Sequence, residues 1–396
     1  MAKSVSAGFA SGDPLISTKS EPSLRDLALF FLRLGITAFG GPAAHIAMIE
    51  DELVRRRQWL SREKFLDLLG ASNLIPGPSS SELAIHIGYL QAGWRGLLVA
   101  GICFILPAVA MVTALAWMYA RFGKLPAIAA ILYGVKPVVI AVILQALWGL
   151  GRTALKSTFL GVVAVFSVLL VFFGFHPLVL LLLAGFAACL PALRISQRSR
   201  GLAVFSFGTA GANVAAAVAP FSFGSLFLVF LKIGAIVFGS GYVLLAFLRA
   251  DLVAHRGWLT DAQLVDAVAV GQITPGPVFT TATFIGYLLG GIRGAIVATV
   301  GIFLPAFVLV AASGPLVPRI RKSKVAGAFL DGVNTGSLAL MAGVTFQLGR
   351  ASLFDFTTIA IAAISAVALL RYRINSVWLI LGGAILGIVA QHFSHV

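Results

Sequence analysis

The sequence predicts an all-α polytopic membrane protein built from two homologous repeats of inverted topology, joined by a central transmembrane helix. Three observations carry that prediction. Of the 396 residues 59% are hydrophobic and only 11% charged, with a mean hydropathy of +1.00, far from the composition of soluble domains. The chain also resembles itself, at a spacing of 199 between Pro76 and Pro275 that becomes 198 between Ile87 and Ile285 after one single-residue gap. Finally, Pro76-Gly77-Pro78 and Pro275-Gly276-Pro277 interrupt apolar sequence at equivalent places in the two copies. Proline lacks an N–H and glycine tolerates unusual backbone angles, so each triplet ends one helix and starts another. Backbone groups freed at membrane depth must be buried in protein or line a watery cavity. Broken or re-entrant helices here are therefore candidate binding elements.

Taken in order, residues 1–23 are polar and rich in Ser and Gly, without the apolar core of a signal peptide; a disordered cytoplasmic tail is expected. The first copy, 24–200, opens with an apolar run over 27–39 that Gly40-Gly41-Pro42 breaks before Ala43 to Ile49. Each piece is shorter than the roughly 20 residues a spanning helix needs, so a re-entrant hairpin and a bent span are both open. Charged residues crowd 50–64, at the membrane surface, and Ser61 is placed to cap a helix through Leu69. Residues 65–75 and 79–91 flank the first triplet, Gly93-Trp94-Arg95-Gly96 closes that pair, and spans follow over 96–118, 126–150, 158–174 and 177–193. An uncharged stretch, 201–223, is read as the central helix, against the alternative of a flexible linker, and the second copy fills 224–396.

Loop charges support inversion. Residues 55–64 hold five Lys or Arg and their partner 254–263 one, whereas 119–125 hold two and 317–324 four. Basic loops face the cytoplasm, so the copies insert upside down relative to each other. The net charge of +15 lies in these loops, which argues against nucleic acid as a partner. Cys103 and Cys189 lack neighbouring Cys or His and read as packing residues.

At the start of the helix after each triplet, unpaired N–H groups and the partial positive charge of the helix end suit an anion. Hydroxyls crowd the same turns: Ser79, Ser80 and Ser81 in one copy, Thr280, Thr281 and Thr283 in the other. They either contact ligand or bond back to their own helix. Gly40, Gly41 and Pro42 open a further helix start, with Gly239 equivalent to Gly40. Arg33 and Lys232, at equivalent positions, are candidate cations for a buried anion, with snorkelling to the interface as the alternative. Arg95 and Arg293 read as loop anchors. Asn73 and Gln272 precede the triplets as amide donors, and the substrate-binding set is completed by Pro76, Gly77, Pro275 and Gly276. The coupling candidates are Glu82, His45, His86 and Lys136, with Asp331 weaker; Glu82 either carries a proton or pairs with Arg33 or Lys136. No Walker-type loop, His-Glu-x-x-His pair, nucleophile elbow or carboxylate cluster is present, so the chain is not expected to be an enzyme, and no cofactor or metal is called for.

Phe39-Gly40-Gly41-Pro42, the basic stretch ending in Trp59, Pro76-Gly77-Pro78, Ile87-Gly88-Tyr89, Phe238-Gly239, Gly257-Trp258-Leu259-Thr260 and Thr274-Pro275-Gly276-Pro277 together closely resemble the chromate transporter family. The resemblance covers both copies. It implies duplicated, oppositely oriented halves with an extra central span, in a protein of the bacterial inner membrane that exports chromate and confers chromate resistance. Ser79-Ser80-Ser81-Glu82 departs from the family pattern, in which a glutamate often follows the first triplet directly, and Phe238-Gly239-Ser240-Gly241 replaces the usual Phe-Gly-Gly. The expected partners are chromate, or sulfate or another tetrahedral oxyanion, and membrane lipid; proton coupling and a homodimer are left open. An anion channel or a membrane-embedded enzyme is the alternative of another class.

Overall fold

The computed structural model describes residues 22–39, 41–123, 125–196, 221–238, 241–372 and 374–394. Almost all of the expected tail and of the expected central helix lies outside them; Ser23, at the tail's end, is described. Every regular element among the described residues is helical.

In the first copy α1 (Leu24–Thr37) starts at a capping box, in which Ser23 Oγ accepts from the Asp26 N–H and the Asp26 carboxylate accepts from Ser23. After α2 (Gly41–Glu50), which runs on through a π-helical turn, Asp51–Arg56, come α3 (Arg62–Ser72) and α4 (Ser79–Phe122). Ser61 caps α3 as the sequence suggests, by accepting from the Lys64 N–H. Then follow α5 (Pro126–Ala154), α6 (Thr158–Phe172) and α7 (Pro177–Ser196). The second copy holds α8 (Phe223–Ile236), the short α9 (Leu244–Leu248) with a second π-helical turn, Arg249–His255, α10 (Asp261–Ile273), α11 (Thr281–Lys322), α12 (Lys324–Ser352), α13 (Phe356–Arg371) and α14 (Ser376–Ser394). A 3₁₀ turn, Val278–Thr280, precedes α11, where α4 begins directly as α-helix. The tighter 3₁₀ winding lies where the repeat loses its one residue.

Neither α4 nor α11 is a single rod. Ala92 and Gly93 leave helical geometry (Gly93 φ 56°), as do Gly290 and Gly291 (Gly291 φ 61°). The chain folds back there, because a Cβ added to Gly88 would strike the Gly96 carbonyl, and one on Gly286 that of Gly294. Across the second turn Thr283 and Thr299 share a hydrogen bond of 2.8 Å. Small residues at these positions let the two arms of each hairpin touch backbone to backbone.

Packing repeats with the copies exchanged. Within each copy the first helix lies on the hairpin, α1 on α4 and α8 on α11, and the two hairpins meet each other. The long fifth helix α5 instead packs on α13 and α14 of the second copy, and its counterpart α12 on α6 and α7 of the first. Gly134 meets Gly383 and Gly387, and Gly332 meets Ala184 and Ala188, at distances that leave no room for a Cβ. The copies are intertwined.

Four stretches, within α4, α5, α11 and α12, are long and apolar enough to cross a membrane, and α6, α7, α8, α13 and α14 add shorter apolar helices. Large apolar side chains such as Trp148, Phe172 and Phe356 are exposed on them, which suits lipid as the surrounding medium and not water. This is a multi-pass membrane protein.

Candidate functional site

Helix α3 stops at Ser72 and α4 starts at Ser79 with Pro78 as its N-cap; Pro277 is likewise the N-cap of the turn that leads into α11. Each second proline thus caps its helix and does not enter its first turn. Gly77 (φ +134°) and Gly276 (φ +98°) hold backbone angles that side-chain-bearing residues rarely adopt. Their N–H groups point into the other copy. Gly77 donates to the Val237 carbonyl at 2.7 Å, and Gly276 to the Ala38 carbonyl at 3.0 Å. Ala38 and Val237 are equivalent residues, the C-caps of α1 and α8, so the four helix interruptions are bonded crosswise between the copies.

Around this junction the two copies differ in chemistry. His45 on α2 bonds the Ala38 carbonyl through Nε2 at 3.0 Å and Ser80 Oγ through Nδ1 at 3.2 Å. A carbonyl only accepts, so Nε2 carries the proton and Nδ1 accepts from the serine. Ser81 Oγ, both Glu82 oxygens and His86 Nε2 are buried without a hydrogen-bond partner. In the second copy Thr280 donates to the Pro277 carbonyl and Thr281 to that of Val278, both at 2.8 Å, and Thr283 is held by Thr299. Those threonine hydroxyls serve their own element. Gln272 accepts from the Tyr242 hydroxyl at 3.1 Å and leaves Nε2 buried without a partner. In both copies the hydroxyls at the triplets are almost wholly buried, apart from the half-buried Ser79.

The structure brings together Pro76, Gly77, Ser80, Ser81, Glu82 and His45 with Gly276, and it separates other residues of the expected set. Asn73 is exposed at the end of α3, and Arg33, Arg95 and Arg293 are exposed. Gly41 opens α2 half-buried with φ +77°; Gly40 and Gly239 lie outside the described residues. Lys232 is bound to Asp251 at 2.6 Å. Lys136 meets Asp266 at 3.1 Å, and the Tyr119 hydroxyl donates to the same carboxylate at 2.8 Å. The alternative of a Glu82 ion pair with Arg33 or Lys136 is thereby overturned: one cation is exposed and the other engaged elsewhere. Asp331 pairs with Lys156 at 2.6 Å, both partly exposed.

Asp251 and Asp266 escaped the sequence reading. Each is a lone carboxylate in a buried stretch, 5% and 4% exposed at the side chain. The signal was present in Lys136 and Lys232, since a cation deep in an apolar segment requires a partner. Chemically, the start of α4 offers free N–H groups at Ser79 and Ser80 and the hydroxyl of Ser81 to an anion. Among the described residues no cluster of metal-ligating side chains occurs.

The model of a family described as "Chromate transporter" matches residues 25–189 and again 224–388. The chain belongs to the chromate transporter family. It is 32% identical to the chromate transport protein of Cupriavidus metallidurans over 387 residues, covering 96% of each chain. It is 32% identical to a probable chromate transport protein of Synechococcus elongatus, covering 90% of this chain and 92% of that one. With the chromate transport protein of Pseudomonas aeruginosa the identity is 33%, covering 81% and 80%. No solved structure matches. The two matches of the family model contain one triplet and one hairpin each.

Proposed function

We propose that this chromate transporter family member is a secondary transporter that moves chromate out of the cytoplasm by alternating access around its two Pro-Gly-Pro breaks. The observation that carries the reading is the crosswise bonding of Gly77 to Val237 and Gly276 to Ala38, with unpartnered donors buried beside it. A site shared between two copies is exposed to alternate sides when one copy tilts against the other. Opposite loop charges support inversion of the copies, with their two-fold axis in the plane of the membrane and the second halves of the broken helices entering from opposite sides. Burial of the junction supports reading it as the occluded state of such a cycle.

Direction follows from charge. Moving a dianion out of an inside-negative cell gains about 4.6 kcal/mol per 100 mV, so export runs on the potential without ATP. Helix starts and hydroxyls bind any tetrahedral dianion, and sulfate is the competing substrate.

Labelled chromate and sulfate supplied to everted membrane vesicles under an imposed potential test this. Accumulation of chromate, reduced about tenfold or more by Ser81→Ala and little by Arg33→Ala, is expected. No accumulation of either ion at any potential or pH gradient would overturn the substrate reading.

A further inference from the structure

Among the described residues Glu82 is the one carboxylate with both oxygens buried and unpartnered. It is fully buried one turn into α4, and neither carboxyl oxygen has a hydrogen-bond partner. Oε1 lies against Gly77, in space that a Cβ on that residue would take, so the triplet's glycine makes room for the carboxyl at the start of the helix. Burial of an ionised carboxylate with neither donor nor cation beside it is strongly unfavourable.

The groups around it supply no countercharge. On α1 the charged residues Arg25, Asp26 and Arg33 are exposed. From α2 comes His45, committed to Ser80 and Ala38. On α3 Arg62, Glu63 and Asp67 are exposed and Lys64 is half-buried. Helix α10 meets α4 at Tyr119, where Asp266 is already bound to Lys136. The wall formed with α11 is apolar, Ala306, Phe307 and Val310 against Ile75 and Ile85. Among the described residues around it, His86, on α4 itself, is a second buried titratable group, with Nε2 likewise unpartnered.

We propose that Glu82 is the group through which this transporter links anion binding to proton uptake. The inference rests on the oxyanion reading above and names its coupling. A dianion at the start of α4 and an ionised Glu82 repel each other at close range in a dry site. The anion therefore enters with a proton on the carboxyl, taken from the medium, and the two leave together, so each cycle moves one net negative charge and draws about 2.3 kcal/mol per 100 mV from the potential, half of what the bare dianion would. Uptake of one promotes uptake of the other, by the same factor in both directions.

Equilibrium binding of labelled sulfate to the purified full-length protein, from about pH 5 to about pH 9, reads this linkage. Sulfate stays a dianion throughout that range, whereas chromate takes up a proton itself. Affinity in the wild type is expected to fall by up to about tenfold per pH unit on the alkaline side, as one linked proton requires. Glu82→Gln, isosteric with the protonated form, is expected to flatten that dependence, Glu82→Asp to restore it with a shifted midpoint, and His45→Gln and His86→Gln to keep it. A slope that survives in Glu82→Gln, or that vanishes in His86→Gln, overturns the proposal, as does pH-independent binding in the wild type. Absence of any sulfate or chromate binding is a different result, and it removes the oxyanion reading together with this inference.

Discussion

Single residues here are decided by what a buried position demands of its neighbours. Asp266 is 4% exposed and Lys136 22% at the side chain, so removing one partner strands a charge. Asp266→Ala is expected to cost about 3–5 kcal/mol, whereas the double change Lys136→Met with Asp266→Leu costs far less or nothing; thermal unfolding of the detergent-purified protein distinguishes them. Glycines divide in the same way. At Gly77 and Gly276 a positive φ and a neighbour in the way, Glu82 and Ala108 respectively, make alanine destabilising by more than about 1 kcal/mol. Gly149 lies within α5 with nothing near its missing Cβ. There alanine is expected to stabilise by about 0.5–1 kcal/mol, raising the melting temperature where the other two lower it.

Elements show how two copies of one ancestral plan use the same geometry with different charges. The turn between α2 and α3 carries Glu50 and Arg62 at 3.9 Å, and its counterpart Arg249 and Asp261 at 2.8 Å. The positions correspond and the signs are exchanged. Nearby, Arg57 lies over the Trp59 ring and Arg256 over that of Trp258, each at 5.0 Å, so the cation–aromatic contact kept its sign while the ion pair did not. Because the pair requires opposite charges and not a particular order, Arg249→Glu is expected to lose up to about 1 kcal/mol. Adding Asp261→Arg, which rebuilds the polarity of the first copy, should recover most of that loss in the same melting assay.

At the scale of the whole molecule, exchange of the terminal helices makes each copy part of the other's core. Helix α5 buries Val138, Ile140 and Ile143 in one apolar cluster with Leu340 and Met341 of α12 and Ile380 of α14. A chain cut by a protease site placed between 197 and 220 is therefore expected to remain one particle in detergent, its two fragments eluting together on size exclusion. Fragments that separate without denaturant would contradict intertwined packing. For the same reason the cycle proposed above, in which one copy tilts against the other, would move the crossed Gly77–Val237 and Gly276–Ala38 bonds.

Much of this was legible in the linear chain, because helix ends are written locally. Ser61 and the two Pro-Gly-Pro triplets mark their boundaries through missing donors and side-chain caps, and the repeat spacing sets the correspondence of elements. What the chain could not announce is which copy an element packs against. The close approach of Gly134 to Gly383, the pairing of Lys136 with Asp266 and the crossed bonds of Gly77 and Gly276 join residues more than a hundred positions apart. Small residues and lone charges say only that a partner exists. Its identity is decided by the tertiary fold, since burial in lipid-surrounded protein penalises every unpaired charge and every gap without naming what fills it.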